Sequence, residues 1–444
     1  MSVRRLLAQL DVEQTGVELL ELAARLQPIP RSLTGEGVRA TLRLLAERIP
    51  LELHEVPSGT AVLDWTVPRE WNVRAAWVKG PDGRRVVDLA EHPLHLLGYS
   101  VPVHVRLGRA ELDEHLHSLP ERPALIPYRT SYFVERWGFC LPHAQREALP
   151  DGEYEVLVDA TLEDGALTWG ELFLPGSEER EVLVSTHVCH PFMANDNLSG
   201  MVVVAALAER LAQLAPSERR YGWRFLFVPG TLGAIAWLAR NEDATSRVAH
   251  GLVAANLGDS GGFCYKRSRR GTAPIDRLVE VALRDLGESL EVEDFVPFGY
   301  DERQYCSPGF DLPVGSLTRT PWGRYPEYHT SADDLSFVRG EALAGSLRAY
   351  LGVAAAIEGN RRYLNLAPKG EPQLGRRGLY RTLGGDQRGR ERELALLWVL
   401  NQSDGERDLL DVAERAGVAL ERLEEAASGL VEAGLLRELP DEER

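Results

Sequence analysis

EVLVSTHVCHPFMANDNLSG, residues 181–200, joins a strand pattern to a dense polar cluster and the start of a helix. Residues 181–186 are apolar or β-branched enough to form a buried strand. The polar residues that follow are His187, Cys189, His190, Asn195, Asp196 and Asn197. Open α/β sheets bind ligands in the crevice beyond the carboxyl ends of their strands. The stretch therefore predicts a site at a strand end of an α/β sheet.

Strand and helix patterns alternate from residue 181 to residue 356. The predicted strands are 181–186, 223–228, 251–257 and 312–317, and the predicted helices are 198–214, 232–240, 274–287 and 341–357. Such alternation is typical of a three-layer α/β/α domain with a largely parallel sheet. Helical patterns before residue 50 are expected to cover the same sheet. We therefore assign residues 1–50 and 168–380 to an α/β core that carries the site.

Residues 51–167 differ from the rest of the chain, because their short alternating runs are broken by Pro and Gly. The dipeptide Asp82-Gly83 between two such runs is a strong hairpin signal. We expect a mostly antiparallel β domain here. Since it separates the early helices from the α/β core, it is an insertion in that core, suited to act as a lid or a wall of the site.

Residues 386–444 predict a C-terminal winged helix-turn-helix, with short helices, a tight turn at Ala416–Val418 and an apolar strand-like end. The helix that would read DNA carries one Arg422 against four acidic residues, Glu421, Glu424, Glu425 and Glu432. An acidic helix repels phosphate. We therefore expect a packing or dimerisation element of a homo-oligomer.

Composition excludes some classes of partner. The 444 residues carry a formal net charge of −17, which argues against nucleic acid or an anionic membrane. No apolar run reaches the roughly 18 residues that a membrane span needs, and residues 1–16 lack a secretory leader pattern. The four cysteines form no CxxC pair and are expected to be free thiols in a reducing compartment. A globular cytoplasmic protein is the expectation.

Zinc and similar divalent metals take imidazole and carboxylate ligands on rigid strand ends. His187, Asp196 and His329 are residues of these types next to predicted strand ends. A straight strand would turn His187 and His190 to opposite sides. Unless the chain turns at Cys189, we expect His190 to face the substrate or to support a ligand. Cys189 beside His190 could be a nucleophile, but a buried thiol is the favoured interpretation.

Two sequence runs, STHVCHPFMANDNLSG and YHTSADDL, resemble the zinc aminopeptidase family with co-catalytic metals. Six further runs extend the resemblance over nearly the whole chain: RSLTGEGVR, DWTVPREWNVR, GYSVPV, RTSYFVERWGFC, DERQYCSPGFDLPVGSLTRT and PKGEPQLGRRGLY. These runs are similar to bacterial aminopeptidase-like proteins often linked to polysaccharide biosynthesis. The resemblance implies a peptidase fold with an inserted β domain and a C-terminal winged helix.

The same resemblance implies a metal site that holds one or two zinc ions. His187 would be the first ligand, Asp196 the bridging carboxylate and His329 the last ligand. Asp259 falls near a further aspartate of the family, although Gly258 is an alternative match. Cys189 stands where the family has an aspartate that orients the first histidine.

The family's Glu-Glu pair should occupy Gly230 and Thr231, and its first glutamate acts as the general base. A lost base costs about 10²–10⁴-fold in rate. Glu302 is the candidate substitute. The alternative for Glu302 is an ion pair with Arg303 or Arg319.

A cluster of polar and aromatic residues leads to His329 and could line a substrate pocket. Its members are Asp301, Arg303, Tyr305, Arg319 and Tyr325. An arginine there suits a substrate carboxylate through a bidentate contact. Alternatively, these residues tie the insert to the core.

Three functions are considered from these observations. The first is a metal-dependent, aminopeptidase-like hydrolase that cleaves a peptide or amide bond of a small substrate. The second is an impaired pseudo-peptidase that acts as a binding or scaffold protein, which Gly230 and Cys189 favour. The third and least favoured is a transcription factor built on the C-terminal domain.

Overall fold

The computed structural model describes residues 2–379 and 387–440, and its largest sheet has eight strands. The helices are α1 (Val3–Ala8), α2 (Val12–Leu26), α3 (Glu36–Ala46), α4 (Arg109–Asp113), α5 (His143–Glu147), α6 (Gly200–Leu211), α7 (Leu232–Arg240), α8 (Glu242–Thr245), α9 (Pro274–Asp285), α10 (Glu302–Tyr305), α11 (Gly340–Gly359), α12 (Gln387–Gln402), α13 (Leu409–Ala416) and α14 (Leu420–Glu432). The strands are β1 (Glu52–Pro57), β2 (Ala61–Val62), β3 (Trp65–Thr66), β4 (Glu70–Lys79), β5 (Arg85–Asp88), β6 (Val103–Gly108), β7 (Leu116–His117), β8 (Phe139–Cys140), β9 (Glu153–Glu163), β10 (Ala166–Leu174), β11 (Glu181–His187), β12 (Gly222–Val228), β13 (Val248–Ala254), β14 (Phe263–Lys266), β15 (Leu290–Glu293), β16 (Val314–Thr318), β17 (Arg362–Asn365), β18 (Asp404–Asp408) and β19 (Leu436–Leu439).

The eight-stranded sheet has the order β1-β10-β12-β11-β13-β16-β14-β15. Its central strands β12, β11, β13 and β16 are parallel, which confirms the predicted α/β fold. The sheet as a whole is mixed, because β1, β10 and β14 run antiparallel to their neighbours. Parallel neighbours need long crossovers, and helices α6 and α7 supply two of these.

Strand order reverses direction at β11. The chain leaves β11 through α6 to reach β12 on one side, and then returns through α7 to β13 on the other side. A crevice opens beyond the carboxyl end of a strand where successive crossovers diverge in this way. All seven residues of β11 are buried, as expected for a strand covered on both faces. The polar cluster after His187 therefore lies at the switch point of the sheet.

Helix α6 begins in close contact with the turn that precedes it. A Cβ atom on Gly200 would lie 2.3 Å from the side-chain oxygen of Asn197 and 2.8 Å from the carbonyl oxygen of Ala254. Only glycine allows this approach of helix to sheet. The turn at 194–199 is thereby held against the end of the neighbouring strand β13.

The region 51–167 contributes to four sheets, two of which are the two-stranded pairs β2-β3 and β7-β8. Strands β5, β4, β9 and β6 form a separate four-stranded antiparallel sheet. Strand β1, by contrast, pairs with β10 in the eight-stranded sheet, although the sequence places residues 52–57 in the insert. The carboxylate of Glu70 on β4 accepts hydrogen bonds from the Arg39 guanidinium on α3 and from the Ala166 amide of β10. The four-stranded sheet is thus anchored to the core by a partly buried ion pair.

The chain divides into two compact units. One comprises Gln9–Gly271 and Glu291–Arg348 and contains the strands described so far up to β14, together with β16. The other comprises Met1–Ala8, Thr272–Leu290 and Ala349–Arg444. The predicted domain boundaries at 380, 386 and 444 lie outside the described residues.

The second unit contains the predicted C-terminal domain. Strand β17 pairs antiparallel with β18 and β19, and α12, α13 and α14 accompany this sheet. Glu424 of the acidic helix α14 accepts a hydrogen bond of 2.7 Å from the Arg4 guanidinium. At the start of the same helix, Leu420 donates its amide to the Asp285 carboxylate of α9 over 2.8 Å. Helix α14 is therefore contacted by Arg4 and Asp285, which come from distant parts of the same chain.

None of the helices in the described part of the chain has both the length and the apolar character that a membrane crossing needs. All four cysteines are free and buried.

Candidate metal centre

Three histidines converge on the carboxylate of Asp196. His187 is the last residue of β11, Asp196 lies in the turn before α6, and His329 lies in the loop between β16 and α11. The Nε2 atom of His187 is 2.9 Å from Oδ1 of Asp196, and the Nε2 atom of His329 is 2.9 Å from Oδ2. Asp196 is only 1% exposed. The structure thus brings together three of the four ligands expected from the sequence.

His190 belongs to the same group of side chains. Its Nδ1 atom is 3.2 Å from Nε2 of His187 and 3.3 Å from Oδ2 of Asp196. The sequence left this placement open, because it requires the chain to turn at Cys189. The physical reason for the placement is that β11 ends at His187, so the alternation of a strand does not continue to His190. The buried Arg31 fixes the turn, because its Nε donates to the His190 carbonyl over 3.0 Å.

The donor set fits a tetrahedral zinc ion. Potential ligand atoms of His187, His190 and Asp196 lie within 4.8 Å of one another. Ligands about 2.0–2.1 Å from zinc at tetrahedral angles are separated by about 3.3 Å. The measured separations of 2.9, 3.2 and 3.3 Å are close to this value. Imidazole and carboxylate are also the chemical groups that zinc accepts.

Electrostatics favour the metal-binding forms of Asp196 and His329. Burial acts to raise the pKa of Asp196, but the imidazoles of His190, His187 and His329 hold that pKa well below its usual range. Burial lowers the pKa of His329. An ionised carboxylate and neutral imidazoles are the ligand states that metal binding requires.

Two polar side chains that the sequence analysis left without a role hold the ligands in place. The Asp333 carboxylate accepts the backbone amides of Asn195 at 2.5 Å and Asp196 at 3.0 Å. Asn197 donates its side-chain amide to the carbonyl oxygen of His187 at 3.0 Å and to Thr186 Oγ1 at 2.8 Å. The signal for Asp333 was its position in the polar run after His329.

Tyrosine rings surround the three histidines. Tyr300 stacks on His187 with a ring separation of 6.0 Å, and Tyr328 stacks on His329 at 3.9 Å. Tyr128 places its edge against His190 and His329, each at 5.1 Å. These tyrosines were not predicted from the sequence, because they come from separate segments that only the fold brings together.

Tyr128 comes from the region 51–167, and that region is attached to the last histidine. The backbone amide of Tyr128 donates a hydrogen bond to the carbonyl oxygen of His329 over 2.8 Å. Pro127 forms an antiparallel bridge with Thr330. The segment 126–128 therefore forms one wall of the candidate site, and it determines the course of the loop that carries His329.

Asp259 does not belong to the group of candidate ligands, and this differs from the expectation. Its carboxylate accepts hydrogen bonds from Thr320 Oγ1 at 2.6 Å, the Gly261 amide at 2.8 Å and the Asn195 side chain at 3.1 Å. These donors take up both oxygens. Asp259 instead holds the loop after β13 against the residue that precedes Asp196.

Glu302 is buried and forms an ion pair with Lys266. Arg303 and Arg319 were the alternative partners expected for Glu302, but the observed partner is Lys266. Lys266 also donates to the Phe298 carbonyl at 2.8 Å. A carboxylate neutralised in this way is poorly suited to serve as a general base.

The five candidate substrate residues are placed differently from one another. The Tyr325 hydroxyl lies 3.5 Å from Oδ2 of Asp333. The Tyr305 hydroxyl donates to Ser185 Oγ at 2.9 Å in the core of the sheet. Arg319 donates to Ser346 Oγ at 2.9 Å and to the Gly261 carbonyl at 2.6 Å. These contacts give Tyr305 and Arg319 a packing role within the α/β core. Asp301 and Arg303 instead lie beside Gly230 and a cavity next to it.

This cavity has a volume of about 210 Å³ and reaches Gly230. Its walls are mostly apolar or aromatic and include one guanidinium: Leu33, Trp65, Tyr132, Phe133, Gly230, Thr231, Leu232, Ile235 and Arg303. A Cβ atom on Gly230 would lie 3.1 Å from Cβ of His187. The cavity is therefore adjacent to the first candidate ligand.

Cys189 is 1% exposed, and its thiol lies 3.5 Å from the Gly230 carbonyl oxygen. Burial raises the pKa of this thiol to about 12. Because the thiolate is the nucleophilic form, the geometry agrees with a buried, unreactive cysteine.

Comparison with known proteins identifies relatives of the whole chain. Residues 20–360 match a family described as a domain of unknown function, DUF4910, and residues 361–438 match a winged helix-turn-helix family. A Clostridium acetobutylicum protein named for polysaccharide biosynthesis and an aminopeptidase-like domain is 48% identical over 424 residues, which are 96% of this chain and 97% of that protein.

Solved structures share the fold. The crystal structure of a Clostridium acetobutylicum protein named as a peptidase has a TM-score of 0.91 at 46% identity, with 97% of this chain and 98% of that chain covered. A zinc aminopeptidase from Bacillus subtilis has a TM-score of 0.56 at 14% identity, with 78% and 94% covered. The predicted aminopeptidase-like core and the C-terminal winged helix-turn-helix are confirmed.

Proposed function

Because this chain belongs to the DUF4910 family and has an aminopeptidase-like fold, we propose that it is a zinc-dependent hydrolase that cleaves a peptide or amide bond next to a free amine. The observation that carries this proposal is the convergence of His187, His190 and His329 on the buried carboxylate of Asp196. A structural cluster in a core would not need three imidazoles on one carboxylate.

His187, Asp196 and His329 would bind zinc, with His190 as a further ligand. When bound, a zinc ion would polarise the scissile carbonyl group and lower the pKa of a water molecule to roughly 7. Asp333 and Asn197 hold the ligands before any ion arrives. The rings of Tyr128, Tyr300 and Tyr328 keep bulk water away from the reacting groups, which strengthens electrostatic interactions within the site.

The cavity beside Gly230 would hold the side chain next to the cleaved bond. Its walls of Leu33, Trp65, Phe133 and Ile235 favour an apolar or aromatic group. Arg303 at the same cavity would favour a substrate that also carries a carboxylate. Small peptides and amino-acid amides have these properties. We also propose that residues 51–167 act as a wall of the site through Tyr128.

The direct test is metal content together with hydrolysis. Purified protein should contain zinc in stoichiometric amount and should hydrolyse aminoacyl p-nitroanilides with apolar side chains. His329→Ala should lose both the zinc and the hydrolysis, whereas His104→Ala, whose side chain is 62% exposed, should lose neither. Protein that binds no zinc, or zinc-loaded protein inactive on every anilide and dipeptide tried, would contradict the proposal.

A second function is favoured by one observation, the absence of a carboxylate at position 230. A chain without a base would bind its ligand without turning it over, as a scaffold or sensor. If the parent is inactive and Gly230→Glu hydrolyses the same anilides, the natural protein is a binder that has kept the metal site.

A further inference from the structure

Asp301 carries a buried carboxylate that has no hydrogen-bond partner in the part of the chain that the structure describes. The residue is 2% exposed, and neither of its side-chain oxygens has a hydrogen-bond partner among the described residues. Buried carboxylates are normally paired, because an unpaired buried charge is costly. A group kept in this state is a candidate for a functional role.

The carboxylate of Asp301 lies where a side chain at position 230 would begin. A Cβ atom on Gly230 would be 3.4 and 3.5 Å from the two oxygens of Asp301 and 3.1 Å from Cβ of His187. The missing glutamate of position 230 would therefore enter the space between His187 and Asp301. Without it, Asp301 is the carboxylate next to that space.

We propose that Asp301 is the general base of this protein, in place of the glutamate that is absent from position 230. The inference rests on the proposed hydrolase function. It replaces the expectation that Glu302 takes this role, and it assigns to Asp301 a role other than substrate binding.

The other nearby carboxylates are already engaged. Asp259 accepts four hydrogen bonds, Asp333 holds the amides of Asn195 and Asp196, and Glu302 is paired with Lys266. Asp196 is surrounded by imidazoles. Asp301 is thus the carboxylate beside position 230 that no described residue engages by a hydrogen bond or an ion pair.

The surroundings of Asp301 suit a base at neutral pH. Burial and the neighbouring Glu302 raise the pKa of Asp301, while Arg303 lowers it, and the resulting pKa is about 7. Cys189 and Tyr305, which also face this carboxylate, have pKa values raised by burial and are neutral near pH 7. A base is most effective when its pKa is near the operating pH.

The step balances without another reactant. As the water oxygen bonds to the carbonyl carbon, Asp301 accepts one proton from that water. The C–N bond then breaks, and the proton passes from Asp301 to the leaving amine nitrogen. The second proton of the water stays on the product carboxyl group and then passes to the released amine. Amide plus water therefore gives a carboxylate and an ammonium ion, with Asp301 ionised again.

Activity of the zinc-loaded protein gives the first test. The kcat/KM of the parent on an aminoacyl p-nitroanilide should rise with pH through about 7. Asp301→Asn should lower kcat by about 10²–10⁴-fold and remove this rise. Asp294→Asn, whose side chain is 91% exposed, should leave both unchanged. The double variant Gly230→Glu with Asp301→Asn keeps the net charge and should recover part of the lost activity.

Unfolding of the metal-free protein gives a second, independent readout. The folded pKa of Asp301, about 7, lies above its ordinary value of 3.8, so the folded state holds a proton that the unfolded state has released. Stability of the parent should therefore fall as pH rises from about 4 to about 7 and then level off. Asp301→Asn should lack this contribution. The melting temperature of Asp301→Asn should therefore rise relative to that of the parent as pH increases over that range.

The outcomes separate this inference from the proposed function. A zinc-loaded parent that is active, with Asp301→Asn equally active and with the same pH profile, overturns the role of Asp301 alone. A parent without hydrolysis overturns both. If Asp301→Asn does not fold, Asp301→Glu replaces it, and unchanged kcat and pH profile in that variant would also count against the base.

Discussion

The Nε2 atom of His329 lies 2.9 Å from Oδ2 of Asp196, although the two residues are 133 positions apart in the chain. A single carboxylate thus ties the loop after β16 to the turn after β11. Because the opposite oxygen faces His187, small changes near Asp196 should affect the whole candidate centre.

His190 is expected to be a ligand, and removing it should weaken zinc binding. In His190→Ala the Nδ1 atom that lies 3.2 Å from Nε2 of His187 is absent. We expect zinc affinity to fall at least about tenfold in a chelator competition assay. His104→Ala serves as the control. Unchanged affinity would restrict His190 to a supporting role, as the sequence suggested.

Asp333 is expected to position Asp196 through the backbone. Asp333→Asn keeps the shape but offers one acceptor oxygen to the two amides at 2.5 and 3.0 Å. Zinc affinity should fall by about 10–100-fold, as for other residues that orient a ligand. The adjacent Asp334→Asn is the matched control, because that carboxylate accepts only from Ser336 among the described residues. Equal affinities for the two variants would exclude the positioning role.

Gly200 is expected to tolerate no side chain. In Gly200→Ala the new methyl group would meet Asn197 at 2.3 Å and the Ala254 carbonyl at 2.8 Å. The free energy of unfolding in urea should drop by about 1–3 kcal/mol, and zinc binding should weaken because the turn at 194–199 shifts. Gly309→Ala, which would meet nothing within 4 Å, is the control. Wild-type stability in Gly200→Ala would show that helix and turn can separate.

Glu70 should make stability depend on pH in the acid range. Its hydrogen bonds from Arg39 hold the pKa of this carboxyl near 2, below its ordinary value of 4.5. The contribution is therefore complete above about pH 4.5 and is lost as pH falls through 2. Glu70→Gln should be less stable than the parent by about 1–3 kcal/mol at pH 7.

The two unfolding curves should converge toward pH 2. Glu121→Gln, at an exposed position, should follow the parent at every pH. A constant difference between Glu70→Gln and the parent across that range would mean that Glu70 acts through packing and not through its charge.

The sequence was most informative where side-chain pattern and burial coincide. The central strand β11 and helix α7 lie where the apolar periodicity predicted them. The short strands β14 (Phe263–Lys266) and β15 (Leu290–Glu293) were missed, since four residues carry too little periodicity. Their pairing also depends on contacts between distant segments, which single-sequence patterns do not contain.

The candidate site was predictable in its chemistry and less so in its geometry. His187, Asp196 and His329 follow from residue type and strand ends, and the structure gathers them. The position of His190 could not be predicted because the strand stops three residues earlier, and the surroundings of Asp259 could not because its hydrogen-bond donors come from distant loops. The unpaired state of Asp301 could be seen only once its neighbours were in place.

The attachment of segment 126–128 to the loop of His329 has a consequence for how the protein matures. Ile126 donates its amide to Ser331 Oγ, 205 positions further along the chain. A nascent polypeptide therefore cannot enclose an ion until both segments have been synthesised and have met. Zinc should then bind late, only after both segments have come together. A proteolytic cut near residue 124 should release the metal without cutting any segment that carries a ligand.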